Sequence, residues 1–250
     1  MDGGVTPTSA VDGAVMELFD DAGVDWWDIN GDARWLHRYN PVRVGYIRDA
    51  ACRQFNRDPA RPDCLAGLRL LDIGCGAGVL CEPLARLGAT VVGVDPGRNI
   101  IGKARAHARQ GGLAIDYRCT IAETLAEAGE SFDVVLASEV VEHVPDAAAF
   151  IHRCAPLVKP GGLFVLSTLN RTVKSYLFAI VAAEYVLRLL PRGAHQWKRF
   201  VKPAEMAAAV EHSGLAVNDV SGVTFNVLAR AMQLARNTDV NYILTAARPV

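Results

Sequence analysis

The chain holds no C-x-x-C pair, although six cysteines are present (Cys52, Cys64, Cys75, Cys81, Cys119 and Cys154). Thiols scattered in this way make neither a zinc knuckle nor a disulfide framework, and they fit a reducing compartment. Excess charge of one sign is also missing. With 26 basic and 27 acidic residues the formal net charge is -1, and the overall balance points to no nucleic-acid partner. No run of about 18 uninterrupted apolar residues occurs, so a membrane-spanning helix is not expected. The first twenty residues carry several acids and no Lys or Arg, and are not expected to act as a secretory or organellar signal. A cytoplasmic chain is the expectation these absences leave.

What is present is an alternation of strand-like and helix-like segments. A length of 250 residues, 51% of them hydrophobic and 21% charged, suits one large α/β domain. Residues 1–10 (MDGGVTPTSA) are small and polar and read as frayed. From Met16 to Tyr46, Phe19, Trp26, Trp27, Trp35, Tyr39 and Tyr46 punctuate a region expected to be helical and broken at Gly31 and Pro41, with a further helix toward Gln54. Residues 1–60 thus form an expected helical cover and 61–250 the main body of a single structural domain. LRLLDIG, ATVVGVD, AIDYRC, FDVVLAS and GLFVLSTL read as strands, interleaved with the helices VLCEPLARLG, NIIGKARAHARQG and AAAFIHRCAPLV. Near-continuous apolar strands alternating with helices mark a doubly wound, mostly parallel sheet covered on both faces. LAVNDVSGV and VNYILTAAR, with no clear helical pattern between them, suggest a terminal antiparallel pair. There is no internal repeat beyond this alternation.

The richest segment is Leu71-Asp72-Ile73-Gly74-Cys75-Gly76-Ala77-Gly78, a strand running into a turn with alternate glycines and then a helix. Glycine there permits positive φ and lets a ligand approach the backbone. The spacing is G-x-G-x-G, not the G-x-G-x-x-G of dinucleotide enzymes. A pyrophosphate wants the free N–H groups of a helix N-terminus, whereas a methionine sulfonium ligand needs a close backbone bend and a nearby carboxylate. Asp95 ends the second strand, where a carboxylate can accept from both ribose hydroxyls. Asp95 before Pro96-Gly97 is also good turn chemistry, so the turn reading stands beside the ligand reading.

From Leu68 to Thr168 the chain resembles a class I S-adenosylmethionine-dependent methyltransferase. The resemblance implies a Rossmann-like seven-stranded sheet whose last strand is antiparallel. It also implies Asp72, Gly74, Gly76 and Gly78 around the methionine moiety, Asp95 on the ribose, Thr120 to Glu123 beside the adenine, and Ser138 in the cofactor-binding set. WWD (26–28), LHRYNPVRVGYI (36–47), SEVVEHVPD (138–146), LVKPGG (157–162), STLNRT (167–172) and DVNYIL (239–244) are similar, in order, to the ubiquinone biosynthesis O-methyltransferase family. The segment before Trp26 has no motif that aligns. This family resemblance implies methyl transfer to a catechol hydroxyl of polyprenylated precursors, both polyprenyl-dihydroxybenzoate and demethylubiquinol, and contact with a ubiquinone-biosynthesis complex. It also assigns Arg43 to the cofactor carboxylate, for which a guanidinium is bidentate; a helix-surface arginine is the plain alternative.

Glu139, Glu142 and His143 form E-x-x-E-H just past the fourth strand. On a helix they would share one face, and with two catechol oxygens they would give a hard shell suited to magnesium. In the alternative, Glu142 and His143 are catalytic and His143 is the general base for the phenolic proton. The plain reading is a histidine that caps a helix or lines the pocket.

From Arg171 to Lys202 seven basic residues face one acid, Glu184, a local charge of +6. The apolar run from Tyr176 to Leu187, with Glu184 and Arg188 as a narrow polar stripe, is expected to lie on an anionic membrane surface. A helix packed on the sheet or lidding the site is the other reading of residues 171–202. Trp26, Trp27, Trp35 and Tyr39 either roof the substrate pocket or belong to the core. A carbon- or nitrogen-directed methyltransferase and a non-catalytic cofactor-binding protein are the competing functions.

Overall fold

The computed structural model describes residues 24–31, 33–177, 197–226 and 231–250. Five parallel strands come first: β1 (Arg69–Ile73), β2 (Thr90–Asp95), β3 (Asp116–Cys119), β4 (Phe132–Ser138) and β5 (Val158–Leu169). Three antiparallel strands, β6 (Ala216–Asn226), β7 (Ala231–Ala235) and β8 (Asn241–Ala247), complete one sheet in the order β3-β2-β1-β4-β5-β8-β6-β7. The final strand, β8, is inserted antiparallel between β5 and β6, as the terminal pair in the sequence suggested. The sheet nevertheless has eight strands where seven were expected. The extra one, β7, is a short outer strand with no β-branched residue, and pairing with β6 is what makes it a strand.

Helices cover both faces. Helices α1 (Arg34–Gln54), α2 (Cys81–Arg86) and α3 (Arg98–Gln110) pack on one side; α4 (Ala122–Glu127), α5 (Ala147–Cys154) and α6 (Pro203–His212) pack on the other. The strands feed the two cores alternately. Leu71, Val135, Phe164 and Leu244 point to the second group, while Leu70, Val134, Leu163 and Ile243 point to the first. This two-residue alternation on a sheet buried on both faces is why the strands read as unbroken apolar runs.

Two expectations for the N-terminal cover need correction. Residues 24–31 form turns and not a helix, because Asp25 and Asp28 accept from the backbone N–H groups two residues on (Trp27 at 3.0 Å and Asn30 at 2.9 Å). In addition, α1 runs through Pro41 without a break. Pro41 lies on the exposed side of the helix, where the carbonyl it deprives, that of His37, can turn to water. On the opposite side Tyr39, Arg43, Tyr46, Ile47 and Ala50 are buried at helical spacing and hold the element together.

Candidate active site

The strand order turns back on itself between β1 and β4, which opens a crevice at their carboxyl ends. Past β1 the chain bends through Gly74, Gly76 and Gly78, with φ of 68°, 52° and 85°. All three lie in the left-handed region that side chains avoid. Gly74 and Cys75 donate their N–H groups to Val94 O (2.8 and 3.0 Å), pinning the bend to β2. A Cβ at Gly74 would stand 2.6 Å from Val140 Cγ2, and one at Gly78 only 2.0 Å from Tyr117 Oη. At Gly76 it would meet nothing closer than Ile100 Cδ1 at 3.5 Å, so the bend is open there.

Asp95 ties two turns together: Oδ2 accepts from Gly76 N (3.1 Å) and Oδ1 from Gly97 N (2.8 Å). The turn chemistry is therefore real, and it also holds the carboxylate at the open part of the bend. Thr120, past β3, donates its N–H to Asp95 O (3.1 Å) and so lies at the same edge. Asp72 is buried, and burial pushes its carboxyl up to about 6 against the opposing pull of the Cys81 thiol and the Arg43 charge. Cys81 Sγ donates to Asp72 Oδ2 at 3.1 Å.

Arg43 comes from α1 and is only 4% exposed. Its guanidinium lies 4.8 Å over the Tyr39 ring, donates from Nη1 to Ser138 Oγ (3.0 Å) and from Nη2 to Asn40 Oδ1 (3.0 Å). Asn40 Nδ2 in turn donates to Val79 O (2.7 Å), fastening α1 to the turn after the glycines. Arg43 Nε is buried with no hydrogen-bond partner among the described residues. A buried N–H of a cation without an acceptor is costly unless a ligand supplies one, and a carboxylate is the best match.

The hydroxyls continue the chain. Ser138 Oγ and Ser167 Oγ are 2.8 Å apart, and Ser167 Oγ donates to Glu139 Oε1 (2.9 Å). Because Ser167 gives its single proton to the carboxylate, Ser138 must donate to Ser167 and accept from Arg43. A directed line therefore runs Arg43, Ser138, Ser167, Glu139. One residue along β5, Thr168 Oγ1 donates to Glu142 Oε2 at 2.7 Å.

The segment carrying Glu139, Glu142 and His143 is not a helix, which corrects the shared-face expectation. Glu139 has φ of 57°, and its N–H turns back to Ser167 O (2.9 Å), so the chain leaves β4 through a left-handed bend into a turn closed by His143 N and Val140 O (2.9 Å). Among the described residues no three His, Cys, Asp or Glu side chains are gathered as metal ligands would be. The expected magnesium set of Glu139, Glu142 and His143 is thus not assembled. Tyr39 also reaches this region, for burial and the Glu139 charge together push its phenol far above the ordinary range.

A methyltransferase domain family matches residues 44–220. Ubiquinone biosynthesis O-methyltransferases of Methylobacterium nodulans and Brucella anthropi are 54% and 52% identical to the chain, over 98% of it and 98% of each of them. The chain belongs to the ubiquinone biosynthesis O-methyltransferase family. Among solved structures, the magnesium protoporphyrin IX methyltransferase of Synechocystis with bound SAM matches at a TM-score of 0.63 and 22% identity, over 94% of this chain and 95% of that one. The [4+2]-cyclase SpnF matches at 0.55 and 17% identity, over 82% of each chain. These likenesses show the fold alone, and the second shows that such a fold serves more than one reaction. Membership in the family makes the protein an S-adenosylmethionine-dependent O-methyltransferase.

In this O-methyltransferase the crevice brings together Arg43, Asp72, Gly74, Gly76, Gly78, Asp95, Thr120 and Ser138. It sets Glu139 and Glu142 beside them through the two hydroxyls of β5. Asn40, Ser167 and Thr168 were not foreseen as site residues. Asn40 sits three residues before Arg43, on the same helix face, and that spacing was the available sign. Ser167 and Thr168 stood in the STLNRT motif without a role. Of the four N-terminal aromatics, Trp27 stacks on His107 (centroids 3.5 Å apart) and Trp35 meets Phe225 edge-on, while Tyr39 lies against Arg43. The polar stripe of Glu184 and Arg188, and the apolar run beyond Leu177, fall outside the described residues.

Proposed function

We propose that the protein transfers a methyl group from S-adenosylmethionine to a catechol hydroxyl of polyprenylated ubiquinone precursors, polyprenyl-dihydroxybenzoate and demethylubiquinol. The observation that carries this reading is the directed line from Arg43 through Ser138 and Ser167 to Glu139. It joins a place suited to an amino-acid carboxylate to an acid-rich loop across the ends of β4 and β5.

The residues fit the cofactor. The bend is open at Gly76, where a ligand can approach the backbone, while Val140 and Tyr117 close in on Gly74 and Gly78. Arg43 would hold the carboxylate, Asp95 the ribose hydroxyls, and Thr120 would flank the adenine. S-adenosylmethionine, when bound, supplies a methyl group already activated as a sulfonium substituent. What the protein adds is position and a deprotonated acceptor. His143, half-buried at the turn, takes the phenolic proton, and Glu142, 3% exposed, orients that turn. Glu142→Ala and His143→Ala are expected to lower turnover roughly a hundredfold or more with cofactor affinity unchanged. Unchanged turnover in both overturns the assignment, and a simple catechol left unmethylated by the native protein favours the non-catalytic reading.

Magnesium keeps the support of the motif's composition alone, two carboxylates and an imidazole within five residues. Activity lost to a chelator and regained with magnesium would favour it. A peripheral membrane location is part of the same reading. Val173, Tyr176 and Leu177 expose 73%, 43% and 52% of their surface where the basic stretch begins, an apolar edge beside Arg171 and Lys174. No described helix is long and apolar enough to cross a membrane. A polyprenyl tail needs such a landing surface, and a partner in a biosynthetic complex would meet it there.

A further inference from the structure

We propose that Thr168 is a positioning residue for methyl transfer, acting on Glu142 through its hydroxyl, as one half of a grip that the end of β5 exerts on the acid loop. The proposal rests on the role given to Glu142 above. Ser167 and Thr168 are neighbours in an extended strand, so their side chains leave opposite faces of the sheet. Ser167 Oγ holds Glu139 and Thr168 Oγ1 holds Glu142, so the loop straddles the strand end with one acid on each side.

Each half of the grip answers a physical cost. Glu139 is in the left-handed region, which a non-glycine residue leaves unless surrounding bonds hold it. Ser167 supplies two such bonds, accepting at its carbonyl from Glu139 N and donating from its hydroxyl to Glu139 Oε1. Glu142 is a buried carboxyl group, whose oxygens need hydrogen-bond partners to hold it in one rotamer. Thr168 is fully buried and gives it a hydrogen bond of 2.7 Å. That bond sets where Glu142 lies relative to His143, the next residue. Thr168 belongs to the STLNRT motif, and this contact gives the motif's second residue a function.

Thr168→Val keeps the shape and removes the donor; Thr168→Ser keeps the donor and removes a methyl group. Thr168→Val is expected to lower turnover roughly tenfold to a hundredfold, the worth of a hydrogen bond to a charged group. Cofactor affinity and the KM for a catechol should stay within about twofold, Thr168→Ser should restore most of the turnover, and Thr168→Val should add little to Glu142→Ala. Native-like turnover in Thr168→Val, while Glu142→Ala is inactive, overturns the proposal and leaves the function intact. So does a parallel loss of cofactor affinity, which marks a merely structural role. Full turnover in Glu142→Ala overturns the role of Glu142 itself and the proposal with it.

Discussion

Asp72 is a residue whose place in the fold works against stability. Its carboxyl moves from 3.8 to about 6 because it is buried, with a thiol and a nearby guanidinium as partial compensation. The sign follows from proton binding. Between those two values the folded state holds the proton more tightly than the unfolded chain, so stability from this group falls as pH rises through the window and levels off above it. At neutral pH the ionised form costs the fold about 3 kcal/mol. Such a cost fits the proposed place of Asp72 beside the cofactor, whose ammonium and sulfonium are cations. Asp72→Asn is therefore expected to raise the melting temperature at pH 7 and to weaken cofactor binding at least tenfold. Its stability advantage should shrink as the pH is lowered to 4.5. Thermal melts at the two pH values with a parallel cofactor titration check this; a variant that is no more stable at pH 7 would show that the burial cost is relieved elsewhere.

At the scale of elements, the parts of the fold legible in the chain were those where local pattern and tertiary packing agree. Strands β1, β2, β4 and β5 face apolar cores on both sides, and their apolar runs announce it. The glycine bend is legible because only glycine fits where Val140 and Tyr117 close in. The failures lie where a distant partner decides. Pro41 should end a helix, but the buried side of α1 outweighs one lost hydrogen bond. Strand β7 has no strand-like composition of its own. The acid loop looked helical by spacing, yet β5 captures Glu139 through Ser167 before a helix can start. The two hydroxyls of β5 also differ in reach. Thr168 touches the acid loop, whereas Ser167 bridges that loop to Ser138 and Arg43. Ser167→Ala should accordingly weaken cofactor affinity and turnover together, each roughly tenfold, in contrast to the turnover-only effect at Thr168. The carbonyl that holds Glu139 N survives the change, so the fold should persist. Cofactor affinity left untouched would show that the line from Arg43 to Glu139 carries no coupling.

Over the whole molecule charge is almost balanced, and the local surplus between Arg171 and Lys202 stands out against it. The two described ends of that stretch are tied to each other. Trp197 Nε1 donates to Thr172 O (3.0 Å), Tyr176 meets the Trp197 ring edge-on, and Arg171 reaches Lys198 O (3.3 Å). Thr172 follows Thr168 by four residues, so these ends lie just beyond the part of β5 that holds the acid loop. Lys198 is exposed there. Each basic residue near an anionic surface is worth about 1 kcal/mol, and reversing one charge removes an attraction and adds a repulsion, about 2 kcal/mol or roughly thirtyfold in partition. Lys198→Glu is expected to leave the floating fraction with anionic liposomes and to slow methylation of a long-tailed substrate in vesicles. A short-tailed catechol in buffer should be turned over at close to the native rate. The native protein should float with anionic vesicles and not with neutral ones. Equal recovery in the soluble fraction for both vesicle types, or an equal loss on both substrates, would assign the basic stretch to the fold and not to a lipid surface.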